Sequence, residues 1–287
     1  MTPTNNQAVP FCASRLVAFA TLAGLALGAW TGQAVAAGQP DALARARVAY
    51  NQQRYGEAVA AATQALGVPE TAPQARLLVA RALLERYRQS NDAADLAAAR
   101  QALSLIDPTT LAARDRAEMQ IGLAESLFFD DRFGAAADLF EDAMSRTGEA
   151  GYAPRERLVG WFATALDRQA RLEVTAVRRR IYRRLLDRMV IENRIGPGSA
   201  VASYWVVAAT FGVDNVEAAW DAAVAAWIRA PLVPGGGVVL RSDLDRLVLA
   251  VIIPRRATLA SAAGDVDAAV DTFRKDWESV KQTWPRR

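Results

Sequence analysis

The chain has 287 residues with 34 basic and 31 acidic side chains, a net charge of +3 and no histidine. Because histidine is the commonest general base and zinc ligand, its absence excludes histidine-containing catalytic triads and the usual zinc clusters. The near balance of charge, together with the absence of a nucleic-acid-binding motif, argues against a nucleic-acid partner.

The N-terminal residues have the pattern of a secretory signal peptide. Arg15 precedes an apolar run of about 15 residues at positions 16–30, and small residues then lead to Ala36 and Ala37, which suit a cleavage site. The run is shorter than the roughly 20 residues that a membrane-spanning helix needs. We therefore predict that residues 1–37 form a cleaved signal peptide and that the mature protein is periplasmic or secreted. Retention of the segment as a membrane anchor is the alternative.

Cys12 is the only cysteine of the chain, and it lies before the apolar run. The lipid-carrying cysteine of a lipoprotein follows such a run, so we do not expect a lipoprotein. Without residues 1–37 the chain has no cysteine for a disulfide, a thiolate metal site or a cysteine nucleophile. We expect neither a cofactor nor a metal.

Small and apolar residues recur at helical spacing through the rest of the chain and predict one all-α domain at residues 38–287. Proline, glycine and short polar segments divide this domain into pairs of helices. The predicted antiparallel hairpins comprise residues 41–66, 73–106, 110–147, 154–193, 199–230 and 242–283.

The first hairpin carries clear local signals. Asp41 is placed to cap its first helix. In its second helix Ala58, Ala62 and Ala65 recur at i, i+4 and i+7, and such a smooth stripe lets two helices approach closely.

The tryptophans of the middle hairpins have two interpretations. Aromatic side chains anchor protein interfaces, but in alanine-rich hairpins they more often fill gaps between helix layers. We expect packing between layers for Trp161, Trp205, Trp220 and Trp227.

Two segments of the last third carry local predictions. The glycines at 235–237 are not followed by the Lys and Ser/Thr of a phosphate-binding loop, so we predict a flexible linker. Ser242 and Asp245 resemble a capping box and predict a helix at 243–253 that Pro254 interrupts.

Three stretches of the sequence resemble one another, at residues 54–66, 132–144 and 264–277. Each has a turn residue followed at fixed offsets by small and large apolar residues. In the first copy these are Tyr55, Ala58, Ala62 and Ala65; in the second, Phe133, Ala136, Phe140 and Ala143; in the last, Gly264, Val266, Ala269 and Phe273.

On these residues the chain resembles the tetratricopeptide repeat proteins, clearly over 41–147 and 255–277 and weakly between. The resemblance implies an α-solenoid of about six stacked antiparallel hairpins in a right-handed superhelix. It also implies that the first helix of each pair lines a concave groove and that positions just before each turn meet the ligand. The groove residues expected on this basis are Arg47, Tyr50, Asn51, Glu125, Phe128 and Phe129.

These groove residues have an alternative interpretation as ordinary helix surface or packing between layers. If they do meet a ligand, their mixture of aromatic, amide and charged groups suits a protein or peptide segment better than a small metabolite.

A second candidate surface is the arginine-rich helix at 177–189, whose opposite face is apolar. Its arginines suit an acidic partner, anionic lipid headgroups or an envelope polymer. The alternative is the solvated outer face of a packed helix. The arginines are Arg178, Arg179, Arg180, Arg183, Arg184 and Arg188.

These observations predict an exported, non-enzymatic scaffold that binds protein or peptide segments in the cell envelope through the concave face of a helical repeat. One alternative is attachment to anionic lipid or polymer through the arginine-rich helix. Another is a glycan-processing enzyme that uses groove carboxylates, the densest group of which is Glu125, Asp130, Asp131 and Asp138.

Overall fold

A computed structural model describes residues 41–150, 155–261 and 264–284. These residues are helical and include no strand, which confirms the all-α prediction. The predicted signal peptide, residues 1–37, lies outside the described residues. Within the described ranges, no helix combines the length and apolar character needed to cross a membrane.

Helices pair along the first half of the described chain, with short connections that reverse the chain direction. The helices of this half are α1 (Ala42–Asn51), α2 (Tyr55–Ala65), α3 (Ala72–Ser90), α4 (Ala93–Ser104), α5 (Ala113–Phe129) and α6 (Phe133–Ala150). They match the first three predicted hairpins to within a few residues.

The second half continues in the same way as far as residue 229. Its helices are α7 (Arg155–Leu172), α8 (Thr175–Ile195), α9 (Ala200–Gly212), α10 (Val216–Arg229), α11 (Val238–Leu247), α12 (Ile253–Ala260) and α13 (Val266–Thr283). The fourth and fifth predicted hairpins are confirmed as helix pairs, whereas the last has a different internal structure.

Each helix from α1 to α10 packs against the next one along the chain, α11 and α12 both contact the segment between them, and α12 packs against α13. Alternate helices also touch: α1 contacts α3, α3 contacts α5, α7 contacts α9, and α9 contacts α11. Odd-numbered helices therefore lie beside one another in addition to contacting their sequence neighbours.

The local signals of the first hairpin are confirmed. The Asp41 carboxylate accepts a hydrogen bond from the Ala44 amide at 2.6 Å, which caps α1. Ala58 and Ala62 are fully buried and Ala65 nearly so. Their small side chains let α2 approach α1 and α3 closely.

Three of the four tryptophan predictions are confirmed by burial. Trp205, Trp220 and Trp227 are buried in the helix packing, whereas Trp161 is only partly buried. Trp161 therefore keeps an exposed edge on α7.

The predicted glycine linker instead forms a defined turn that leads directly into α11. All three glycines have left-handed backbones, with φ of 74°, 67° and 65°. Gly237 also lies so close to α10 that a Cβ there would be 2.2 Å from the carbonyl oxygen of Ala230. Only glycine meets both demands at this position.

The prediction of a capped helix at 243–253 is wrong at both ends. Ser242 lies inside α11, which begins at Val238, and the helical path continues through a π-helical turn at Val248–Ile252 into α12. Pro254 sits in the first turn of α12. A proline lacks an N–H and clashes with the carbonyl four residues before it, and the wider π turn accommodates both effects without ending the helix.

Candidate functional site on the odd-numbered helices

A buried group of charges joins α3 to α5. Arg81 on α3 is 3% exposed, and its Nη1 donates a hydrogen bond to Glu125 Oε2 on α5 at 2.5 Å. Its Nε lies 3.3 Å from Glu118 Oε2. Glu118 and Glu125 are both on α5, so one face of that helix supplies both carboxylates. Taking a charge out of water is costly, and two acidic partners around one guanidinium offset that cost.

Glu85 extends this group along α3. Its buried carboxylate lies 2.6 Å from the Arg88 guanidinium, which is partly exposed. The spacing of Arg81, Glu85 and Arg88 places all three on one face of α3.

Burial shifts the ionisation of the group. Loss of water raises the pKa of Glu118 and of Glu125, and the positive charge of Arg81 works against this rise. Burial also raises the pKa of the Tyr50 phenol on α1. The Tyr50 phenol therefore stays neutral and can donate a hydrogen bond throughout the physiological range.

Tyr50 connects α1 to the same charges. Its ring packs edge-on against Tyr55 with centroids 5.6 Å apart. The charges of Arg81, Glu85 and Glu125 all act on its pKa, so the phenol lies within electrostatic range of the buried group.

Arg157 adds a charge from α7. It is partly buried, and its charge lowers the pKa of Tyr50 and opposes the raised pKa of Glu118 and Glu125. Four odd-numbered helices, α1, α3, α5 and α7, therefore contribute polar groups to one electrostatically coupled set.

An aromatic shelf lies beside these charges. Phe129 at the end of α5 contacts Tyr87 on α3 at a centroid distance of 4.8 Å and Trp161 on α7 at 5.9 Å. All three rings are partly exposed. Phe128 is buried beneath them, 4.8 Å from Trp161, and the Arg168 guanidinium lies 4.8 Å from the Phe128 ring centre.

We refer to the charges and the aromatic shelf together as the odd-helix face. Its members are Tyr50, Arg81, Glu85, Tyr87, Glu118, Glu125, Phe129, Arg157 and Trp161.

The structure places the predicted groove residues at three different depths. Tyr50 and Phe129 are partly exposed on the odd-helix face. Glu125 and Phe128 are buried and support it from below. Arg47 and Asn51 are exposed on α1 beside Tyr50.

Sequence reasoning missed several members of the odd-helix face. A signal was present, because each helix carries them at spacings that share one helical face, such as i and i+4 for Arg157 and Trp161 or i and i+7 for Glu118 and Glu125. The missed residues are Arg81, Glu85, Tyr87, Glu118, Arg157 and Trp161.

The arginine-rich helix is α8, and several of its arginines bind neighbouring helices. Arg178 donates hydrogen bonds to backbone carbonyls at the end of α7. Arg179 pairs with Asp214, which follows α9, and Arg188 lies 3.8 Å from Glu141 on α6 in addition to its pair with Glu192 inside α8. These three arginines therefore stabilise the packing of α8.

Arg184 joins α8 to α6. Its Nη2 donates hydrogen bonds to Asp138 at 2.7 Å and to Glu141 at 2.6 Å. Asp138, a member of the predicted acidic group, is thus an ion-pair partner of α8.

Arg180 and Arg183 are the exposed remainder of the arginine-rich face. Neither has an acidic partner among the described residues. They line a shallow depression of about 420 Å³ together with Arg184, Arg188 and Ile191 and with two carboxylates, Glu141 and Asp187. This depression is the part of α8 that is open to an anionic partner.

In the ranges that the structure describes, acidic side chains form no group of three or more suited to hold a metal ion. Comparisons of the chain with protein-family models, with curated proteins and with solved structures found no match. The function of the odd-helix face must therefore be inferred from its own chemistry.

Proposed function

We propose that this protein is an exported, non-enzymatic α-solenoid scaffold, and that its odd-helix face binds protein or peptide segments in the cell envelope. The observation that carries the proposal is the convergence of partly exposed aromatic and polar side chains from alternate helices. Tyr87, Phe129 and Trp161 come from three different odd-numbered helices.

The packing of the helices supports a concave surface. Alternate helices touch within the first five helices, as stacked tetratricopeptide-like hairpins would require. Arg157 on α7 also acts electrostatically on Tyr50 on α1, which supports an arrangement in which side chains of these two helices face the same surface. A concave face of this kind accommodates an extended or helical segment of a partner.

The chemistry of the face favours a peptide. Aromatic side chains supply most of the binding energy at protein interfaces, and partly exposed rings beside charges match such anchors. The buried Arg81–Glu125 pair and the ring contacts hold the face in place before a ligand arrives. Little binding energy is then spent on ordering the receptor.

Site-directed photo-cross-linking in the cells that make the protein tests the proposal. A photoreactive phenylalanine analogue at Asn51 or Phe129 should join the chain to the same small set of envelope proteins. The matched control is the analogue at Lys275, an exposed position on α13. Recovery of the same abundant neighbours from all three positions would contradict the proposal.

A second candidate function rests on α8. We propose it as the alternative because Arg180 and Arg183 are exposed, lack acidic partners among the described residues and border the depression at Ile191. Anionic lipid headgroups suit this arrangement.

Vesicle flotation separates the two functions. If α8 binds lipid, the full chain should float with phosphatidylglycerol vesicles at low salt but not with phosphatidylcholine vesicles. The double variant R180Q/R183Q should lose flotation, whereas R229Q/R255Q, which removes two other exposed arginines, should retain it. No flotation of the unaltered chain would exclude the membrane function.

A further inference from the structure

Arg157 differs from every other arginine that the structure describes. The other buried or partly buried arginines donate hydrogen bonds or form ion pairs, as Arg81 does with Glu125 and Arg155 with Glu192. Arginines without such partners, such as Arg180, are exposed to water. Within the described ranges, Arg157 alone is partly buried without a hydrogen bond or an ion pair.

This combination leaves the charge of Arg157 without a partner in the free protein. A guanidinium has five N–H donors, and none of those of Arg157 is among the buried atoms that lack a partner, so water reaches them. The nearest carboxylates on the odd-helix face, Glu118 and Glu125, already lie against Arg81. An acceptor supplied by a ligand would replace water there and form a charge-assisted hydrogen bond with Arg157.

A ligand acceptor bound at Arg157 would lie next to the other side chains on the same face of α7. Arg157, Trp161 and Arg168 follow at i, i+4 and i+11, so their side chains share one stripe of the helix. Trp161 belongs to the aromatic shelf through Phe129. Arg168, which lies over the Phe128 ring, has no acidic partner among the described residues.

We infer that Arg157 receives the carboxylate of an acidic residue in the bound peptide segment, while an aromatic or apolar residue of the same segment packs on Trp161 and Phe129. This inference rests on the proposed function and adds the ligand class. One turn of α7 separates Arg157 from Trp161 by about 6 Å along the helix axis. Residues i and i+2 of an extended peptide lie about 7 Å apart, so the acidic and apolar residues should be two positions apart.

Defined peptides test the inference with the full chain. The probes are fluorescein-labelled ten-residue peptides of Ser and Gly that carry Asp and Trp two positions apart, and the same peptides with Asn in place of Asp. Fluorescence anisotropy should show at least tenfold tighter binding of the Asp peptides. A charge-assisted hydrogen bond to a carboxylate is of the strength that such a ratio requires.

Variants assign the preference to one residue. Arg157→Gln should abolish the preference for Asp over Asn, and Arg157→Lys should retain part of it. The matched control, Arg180→Gln, removes an exposed arginine from α8 and should leave the preference unchanged. Unaltered circular dichroism and thermal unfolding of the variants would show that folding is preserved.

The outcomes separate the inference from the proposed function. If Arg157→Gln keeps the preference for Asp, or if the Asn peptides bind the unaltered chain equally well, the inference is overturned and the peptide-binding function stands. If neither peptide series binds at all, both are overturned.

Discussion

The helices α1–α7, which we call the N-terminal region, and the helices α9–α13, the C-terminal region, treat buried polar groups differently. In the C-terminal region, Arg241 is almost fully buried and donates hydrogen bonds to the carbonyl oxygens of Trp227 and Trp284. Lys281 and the Trp277 indole both donate to Asp245. Each of these polar groups closes a contact between helices.

The N-terminal region leaves several such groups incompletely bonded. The buried side-chain atoms without a well-aligned hydrogen bond among the described residues belong to Gln74, Arg81, Glu85 and Arg100, all on α3 and α4. The Arg81 and Glu85 atoms are nevertheless within ion-pair distance of Glu118 and Arg88. Arg157 on α7 has no hydrogen-bond or ion-pair partner among the described residues. Buried polar groups are normally satisfied, so each exception needs a physical explanation. The difference is the one expected if, as we propose, the N-terminal region binds a ligand and the C-terminal region mainly stabilises the fold.

The largest effect on this comparison should come from Trp277→Ala. Trp277 is fully buried, and its ring packs on Trp220 and Trp227 at centroid distances of 5.8 and 5.4 Å. Removing the ring leaves a cavity and takes away one of the two hydrogen bonds that Asp245 accepts, so we expect the free energy of unfolding to fall by about 4 kcal/mol. Urea unfolding of the variant and of the unaltered chain measures this fall. A loss comparable with that of exposed Trp284→Ala would contradict a stabilising role for the C-terminal core.

The next effect should come from Arg81→Leu. This change leaves Glu125 and Glu118 buried without their cation and should cost about 3 kcal/mol. Adding Glu125→Leu should restore part of the lost stability, because an apolar pair replaces an unpaired charge. If the double variant were no more stable than Arg81→Leu alone, the buried pair would not be the source of the loss.

A smaller effect is expected in the turn before α11. Gly237→Ala forces a Cβ against the Ala230 carbonyl at a left-handed backbone position, and we expect a cost of about 2 kcal/mol. The matched control is Gly235→Ala, which has a similar φ but no atom within 4 Å of a Cβ, and it should cost about 1 kcal/mol. Thermal unfolding of both variants compares them. Equal losses would show that the close approach to Ala230 does not matter.

The smallest expected effect is a pH dependence of stability that arises from Glu118 on the odd-helix face. Burial raises the pKa of Glu118 in the folded state above the pKa of the same residue in the unfolded state. The protonated Glu118 therefore contributes to stability below the unfolded-state pKa, and this contribution is lost as the pH rises through the folded-state pKa. The free energy of unfolding of Glu118→Gln, relative to that of the unaltered chain, should therefore be higher at pH 7 than at pH 4. Urea unfolding at both pH values measures this, and the opposite trend would contradict the sign.

Much of the helix order follows from the sequence because it depends on local signals. The alanine stripe of α2 and the cap at Asp41 need only neighbouring residues to be recognised. The continuation of helix past Pro254 could not be predicted, because the π turn that permits it depends on packing around Val248 and Ile252, both fully buried.

The candidate site was only partly predictable for a related reason. The hydrogen bond between Arg81 and Glu125 joins residues 44 positions apart, so no local pattern indicates it. Helical spacing places Arg157 and Trp161 on one face of α7, but it does not say which side of α7 meets α5. Only the packing of the odd-numbered helices brings these residues to the shelf at Phe129.

Hydrogen–deuterium exchange of the full chain, with and without the Asp–Trp peptide, tests most directly whether the N-terminal region is the binding region. Our account predicts slower exchange in α1, α3, α5 and α7 when the peptide is present, and unchanged exchange in α10–α13. Protection confined to α8 or to α10–α13, or no protection anywhere, would contradict it.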